Sequence, residues 1–187
     1  MEKPKKFYTK DYMSRPGMSF AIEIADPVQR IEEFMNRYKR EPVAEGFEES
    51  LMTRDLRVVS ATGPSNNTAN TATAVFEMDI IPMYGTRMGN ASGAAITLVH
   101  DMCTTMAMAP LATRDFWHFG GVSRVLSVTY LRPTKTGSTV VIECEVLQVG
   151  ARFATIRGVM KDKATGDLLS VCEHNKASII FRDKPKI

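Results

Sequence analysis

The chain has 187 residues, with 24 lysines and arginines against 21 aspartates and glutamates and a formal net charge of +3. That length suits a single domain with a sizeable core. Four lysines crowd the first ten residues, MEKPKKFYTK, yet no basic surface interleaved with aromatics accompanies them, so nucleic acid is not an expected partner. No apolar run reaches the roughly 18 residues of a membrane span, and no signal-peptide core follows the start.

The expected address is therefore intracellular: cytoplasmic, with a mitochondrial one as the alternative, because the Lys-rich, Arg-poor start matches a transit peptide weakly. Cys103, Cys144 and Cys172 fall inside expected helix or strands without metal-type spacing and read as reduced core thiols. His100, His118 and His174 show no ligand spacing either, so no metal is expected. Asn66 and Asn90 each open a glycosylation triplet, read as chance without a secretory signal.

In chain order, residues 1–20 carry Pro4, Pro16 and Gly17 without a period and read as a flexible arm, with one domain over 21–187. Asp26 before Pro27 is an N-cap followed by a first-turn proline, and Val28, Ile31, Phe34, Met35 and Tyr38 repeat at helical spacing, predicting a helix over 27–39. A first strand is expected at about 53–62. The run from Gly63 to Asn70 reads as a loop. Ala72, Ala74, Phe76, Met78 and Ile80 then alternate with their neighbours as a second strand. After a long apolar stretch come four more strand-like runs, 122–131, 139–149, 153–161 and 168–181, joined by turns too short for anything but antiparallel pairing.

The apolar stretch, from Tyr84 to Ala109, organises the rest. From Asn90 as N-cap its apolar residues run nearly all the way round a helical wheel, the pattern of a helix wrapped by other elements. Thr97, Asp101, Thr104 and Thr105 form one narrow polar stripe, and Gly93 and Ala94 fall in the first turn with unpaired N–H groups. An aspartate inside an apolar helix is costly unless it lies at a cleft or an interface. The element order predicts an α+β fold: an antiparallel sheet of about six strands curled around one buried helix.

Ser92-Gly93-Ala94, Asp101 eight residues after Gly93, Val122-Ser123, and Val128-Thr129-Tyr130-Leu131-Arg132-Pro133 together resemble the PaaI-type acyl-CoA thioesterases of the hotdog fold. Lys163-Ala164-Thr165-Gly166 before Leu168 matches a hairpin common in that family, and the resemblance spans about residues 50–180. It implies an acid on the helix, Asp101, that activates water or attacks the thioester, with Gly93 and Ala94 in the paired-glycine positions as backbone oxyanion donors and Ser123 on the following strand. Ser92 stands where the family usually has His, and Thr86 where it has Asn. Both are side chains able to hydrogen-bond the water or the carbonyl.

The implied substrate is an acyl thioester of coenzyme A or of an acyl carrier protein, with no separate cofactor. Arg87, Arg124, Arg132 and Lys135 are the candidate phosphate partners, and Met102, with Met106 and Met108, the candidate acyl lining. The departures at Ser92 and Thr86 keep a second function open, a non-catalytic hotdog protein that binds acyl thioesters or serves in an assembly. A lyase reading ranks third, because it needs a His beside the acid and His100 projects about 100° away round the helix. Unpaired sheet edges imply a homodimer or a dimer of dimers.

Overall fold

The computed structural model describes residues 18–40, 50–64 and 70–179. Helix α1, Pro27–Arg40, begins where Asp26 accepts a hydrogen bond from the Gln29 N–H at 2.8 Å, and a proline at the first helical position forfeits no bond. Residues 1–17 of the expected arm lie outside the described residues. Phe20, at its end, is buried with its ring 5.1 Å from that of Phe34, so the folded domain includes it.

The first strand starts later than the sequence predicts. Leu51–Asp55 form a π-helical turn, and β1 runs over Leu56–Thr62. Leu51, Met52 and Asp55 all bury their side chains, a spacing that an alternating strand cannot supply. Asp55 is held there by the Tyr84 hydroxyl at 2.7 Å and by Arg54 at 2.7 and 3.1 Å. Burial pushes the Asp55 carboxyl up, but those hydrogen bonds outweigh it and hold it below the usual range. Strand β2, Thr73–Asp79, buries Ala74, Phe76 and Met78 on one face, as its period of two predicts. Residues 65–69, with the triplet at Asn66, lie outside the described residues.

Helix α2 is Gly93–Met106. Strands β3 (Val122–Tyr130), β4 (Thr139–Val149), β5 (Phe153–Asp162) and β6 (Leu168–Ala177) follow. All pairings are antiparallel, in the order β1-β2-β4-β5-β6-β3. One six-stranded sheet thus wraps one helix, the α+β hotdog arrangement. Its concave face closes on Ile96, Val99, Cys103 and Met106 of α2, and the three cysteines are free and buried as expected.

Two features fix the helix in the sheet. Gly158 of β5 lies directly beneath it, and a Cβ there would meet Cys172 Sγ at 2.7 Å and His100 Nδ1 at 3.0 Å. Arg30 of α1 is buried, and its guanidinium donates to the carbonyls of Ile24 at 2.7 Å, Ala109 at 3.0 Å, Ile22 at 3.2 Å and Ala112 at 3.2 Å. It clasps the segment before α1 to the segment after α2 using main-chain oxygens. Arg30→Met strands several buried acceptors, so it is expected to cost about 3 kcal/mol or more in urea unfolding, whereas a change on the exposed face of α1, such as Asn36→Ala, stays within about 0.5 kcal/mol.

Candidate active site

The chain reaches α2 through two backbone bonds, Ala91 N–H to Thr134 O and Ser92 N–H to Tyr84 O, both 2.7 Å. The N-cap is Ser92, two residues later than the sequence predicts, because Asn90 is drawn into an extended bridge with Lys135. Ser92 makes no side-chain cap, so the exposed first-turn N–H groups at Gly93 and Ala94 keep the partial positive charge of an open helix start. In front of them lies a groove of about 350 Å³ whose lining includes Asn90, Gly93, Tyr130, Arg132 and Thr134. The Tyr130 hydroxyl donates to Gly93 O at 2.9 Å and shares a 2.7 Å bond with Thr97 Oγ1. A Cβ at residue 93 would come within 3.3 Å of that hydroxyl, so glycine leaves the tyrosine its place.

Asp101 is eight residues further along α2 and 36% exposed at its side chain. Ser123 Oγ on β3 donates to its Oδ1 at 3.0 Å, and His174 Nε2 on β6 stands 3.4 Å from the same oxygen. Thr104 Oγ1 lies 2.6 Å from His100 O and 2.7 Å from His174 Nδ1. A hydroxyl has one proton, and the short contact to the carbonyl uses it, so the network assigns the imidazole proton to Nδ1. The Nε2 lone pair then faces Asp101, and this buried nitrogen has no hydrogen bond among the described residues. Burial first, and the Lys176 charge second, lower the His174 pKa to about 4 against the pull of Asp101. At neutral pH the approach of His174 to Asp101 is therefore not an ion pair. Lys176, two residues on along β6, is buried and donates to Thr105 Oγ1 at 2.8 Å. Burial lowers its pKa to about 8, opposed by Asp101.

The structure thus sorts the expected residues into two groups. Gly93, Ala94, Ser92, Arg132 and Lys135 gather at the helix start, with Arg132 also bonded to Leu168 O at 2.8 Å. Thr86 and Arg87 are exposed in the preceding loop, where the Thr86 hydroxyl accepts the Met88 N–H at 3.3 Å and so closes a turn. Asp101 and Ser123 form the second group. Arg124, at the register shift beside Ser123, turns away and stacks over Phe153 at 4.5 Å. Met102 is half-buried, but Met106 and Met108 are wholly buried among core residues, which corrects their expected place along an acyl chain.

His174 and Lys176 are the neighbours of the acid that the sequence did not single out. His100 faces away from Asp101 as expected, buried against Ser170 Oγ at 2.9 Å, and burial lowers its pKa to about 4. Among the described residues no cluster of His, Cys, Asp or Glu could hold a metal ion, and no helix is long and apolar enough to cross a membrane.

Fold and site together define a hotdog protein with an acid and an open helix start on its one wrapped helix. The thioesterase superfamily profile matches residues 88–168. Acyl-coenzyme A thioesterase 13 of Homo sapiens is 30% identical over 102 residues, which cover 54% of this chain and 70% of the relative; the Mus musculus protein is 28% identical over the same length. Among solved structures, thioesterase superfamily member 2 from Mus musculus superposes with a TM-score of 0.64 at 25% identity, covering 82% of this chain and 98% of that one. The E. coli PaaI protein shares the fold at a TM-score of 0.54 and 12% identity, covering 66% and 82%. The chain belongs to the thioesterase superfamily, and thioester hydrolysis is its class of chemistry.

The buried histidines give a pH expectation. Their folded pKa values of about 4 lie below the ordinary 6.5, so between those limits the unfolded chain binds more protons than the folded one. Stability is full above pH 6.5 and falls as the pH drops towards 4, and the urea midpoint measured across that window should fall less steeply in His100→Gln.

Proposed function

We propose that the protein hydrolyses acyl-CoA thioesters at a site completed by a second copy of the chain. One observation carries this reading. The open N–H groups at Gly93 and the Asp101 carboxylate are eight residues apart on one straight helix, about 12 Å at 1.5 Å per residue. Acid and oxyanion donor must each lie about 3 Å from the reacting atoms, so the two groups of one helix cannot serve one carbonyl. Edge strand β3 supplies the means of joining two copies. Its outer edge is unpaired among the described residues, and Val122, Val125 and Tyr130 are at least half exposed. A two-fold pairing of β3 with its counterpart brings Asp101 and Ser123 of one copy towards the helix start of the other.

In that site the thioester carbonyl lies against the N–H groups of Gly93 and Ala94, which bear the charge that develops on oxygen. Asp101 either takes a proton from water or attacks the carbonyl itself, and Ser123 Oγ, already bonded to it, orients the carboxylate or the water. Arg132, which lines the groove, and Lys135, bridged to Asn90 at its rim, are the partners for the phosphates of coenzyme A, with Arg87 in the loop before the helix and Met102 on the acid's side. An acyl carrier protein is the alternative carrier. The binding-only reading rests on Thr86, whose hydroxyl is tied into its own turn rather than turned to a substrate.

Free-thiol release from short, long and aromatic acyl-CoAs separates the two. Turnover that Asp101→Ala lowers by about 100-fold or more, with KM little changed, supports hydrolysis through this acid, whereas saturable binding without turnover in the native protein supports the second reading. The interface is checked separately. The native protein should elute as a dimer or a dimer of dimers, and Val125→Glu should shift it to a folded monomer without turnover.

A further inference from the structure

We propose that Lys176 is a positioning residue of the reaction, the buried cation that supports the Asp101 carboxylate and keeps His174 uncharged beside it. The proposal rests on the reading of Asp101 as the catalytic acid. His174, close to Asp101, looks like the site's cation, but burial and its neighbour leave it neutral. The charge comes instead from one step further along β6.

Lys176 is 2% exposed, and a lysine is rarely buried to that extent without a partner of opposite charge. Among the described residues its ammonium has no carboxylate within 4.0 Å and one hydrogen bond, to the Thr105 hydroxyl. Thr105 follows Asp101 by one helical turn, so acid and lysine lie on the same face of the seam between α2 and β6. The register agrees from the other side. Lys176 pairs with Ser123 of β3, the residue that donates to Asp101 Oδ1. Four polar side chains, Asp101, Ser123, His174 and Lys176, are thus brought together by two strands and one helix.

The groups facing Lys176 are Asp101 and Thr105 from α2, Ser123 from β3 and His174 from its own strand, while its register partner on β5 is Ala154. Asp101 is the one anion of that set, and its field is what opposes the desolvation of the ammonium. The lysine acts in two directions. It places a positive charge on the same seam as the carboxylate, and it disfavours a second positive charge on the imidazole, so His174 stays neutral. Packing alone gives no reason for an amine here, since methionine fills a similar volume.

The test compares the native protein with Lys176→Met and Lys176→Arg, and uses Lys176→Gln, which keeps a donor for Thr105, should the methionine variant fail to fold. With acyl-CoA as substrate, kcat/KM at neutral pH should fall by about 10-fold in Lys176→Met or Lys176→Gln and be largely kept in Lys176→Arg. An unchanged kcat/KM in a folded Lys176→Met or Lys176→Gln overturns the proposal. The His174 ring resonances in NMR provide a readout that needs no turnover: removing the lysine's charge should raise the pH at which this ring titrates by about one unit, and an unchanged titration overturns the proposal. Turnover that survives Asp101→Asn removes the parent reading instead, with the NMR result still measuring whether Lys176 and His174 are coupled.

Discussion

The close seating of α2 on the sheet at Gly158 is the constraint on which the other features depend. Because no side chain separates β5 from the helix at that point, His100 and Thr104 can lie against the strands, with Cys172 beside them. A larger residue would lift the helix, and the line of contacts from Ser170 through His100 and Thr104 to His174 would open. Those contacts set the position of α2, and through it the outlook of both its open start and its acid.

A polar seam lies under the helix. Two histidines, a threonine, a serine and a lysine occupy ground that apolar side chains could hold at lower desolvation cost. Each is nonetheless bonded at one atom at least, and the unbonded ones, His100 Nδ1 and His174 Nε2, are weak bases kept neutral by their surroundings. With the imidazole beside Asp101 neutral, the positive charge of the seam rests on Lys176 alone.

The fold was legible because its two periods are distinct. The strands alternate, as in Ala74, Phe76 and Met78, and the wrapped helix is apolar nearly all round. Asp101 announced itself by being the one acid in that helix. His174 and Lys176 did not. In a strand reading Glu173-His174-Asn175-Lys176, polar residues occupy both faces, and nothing in a period of two says which pair looks inward. The helix start was misplaced for a related reason: Asn90 is a good capping residue by type, but the bridge to Lys135 claims its backbone. The late start of β1 depended on Asp55 finding Tyr84, a partner 29 residues away that local pattern cannot reveal.

The two edges of the sheet are not equivalent. β3 loses register once near its start, between Ser123 and Val125, and then runs regularly to Tyr130, whereas β1 is seven residues long and loses register in its middle, between Val58 and Ser60. A break of that kind twists the backbone away from a flat neighbour and blunts its capacity to template another strand. If both edges were equally receptive, each copy could recruit another at either end and the sheets would grow into a filament. On the dimer reading, a two-fold pairing uses up the longer regular edge at β3, and the mid-strand break in β1 makes the far edge of the sheet the poorer template for a further copy.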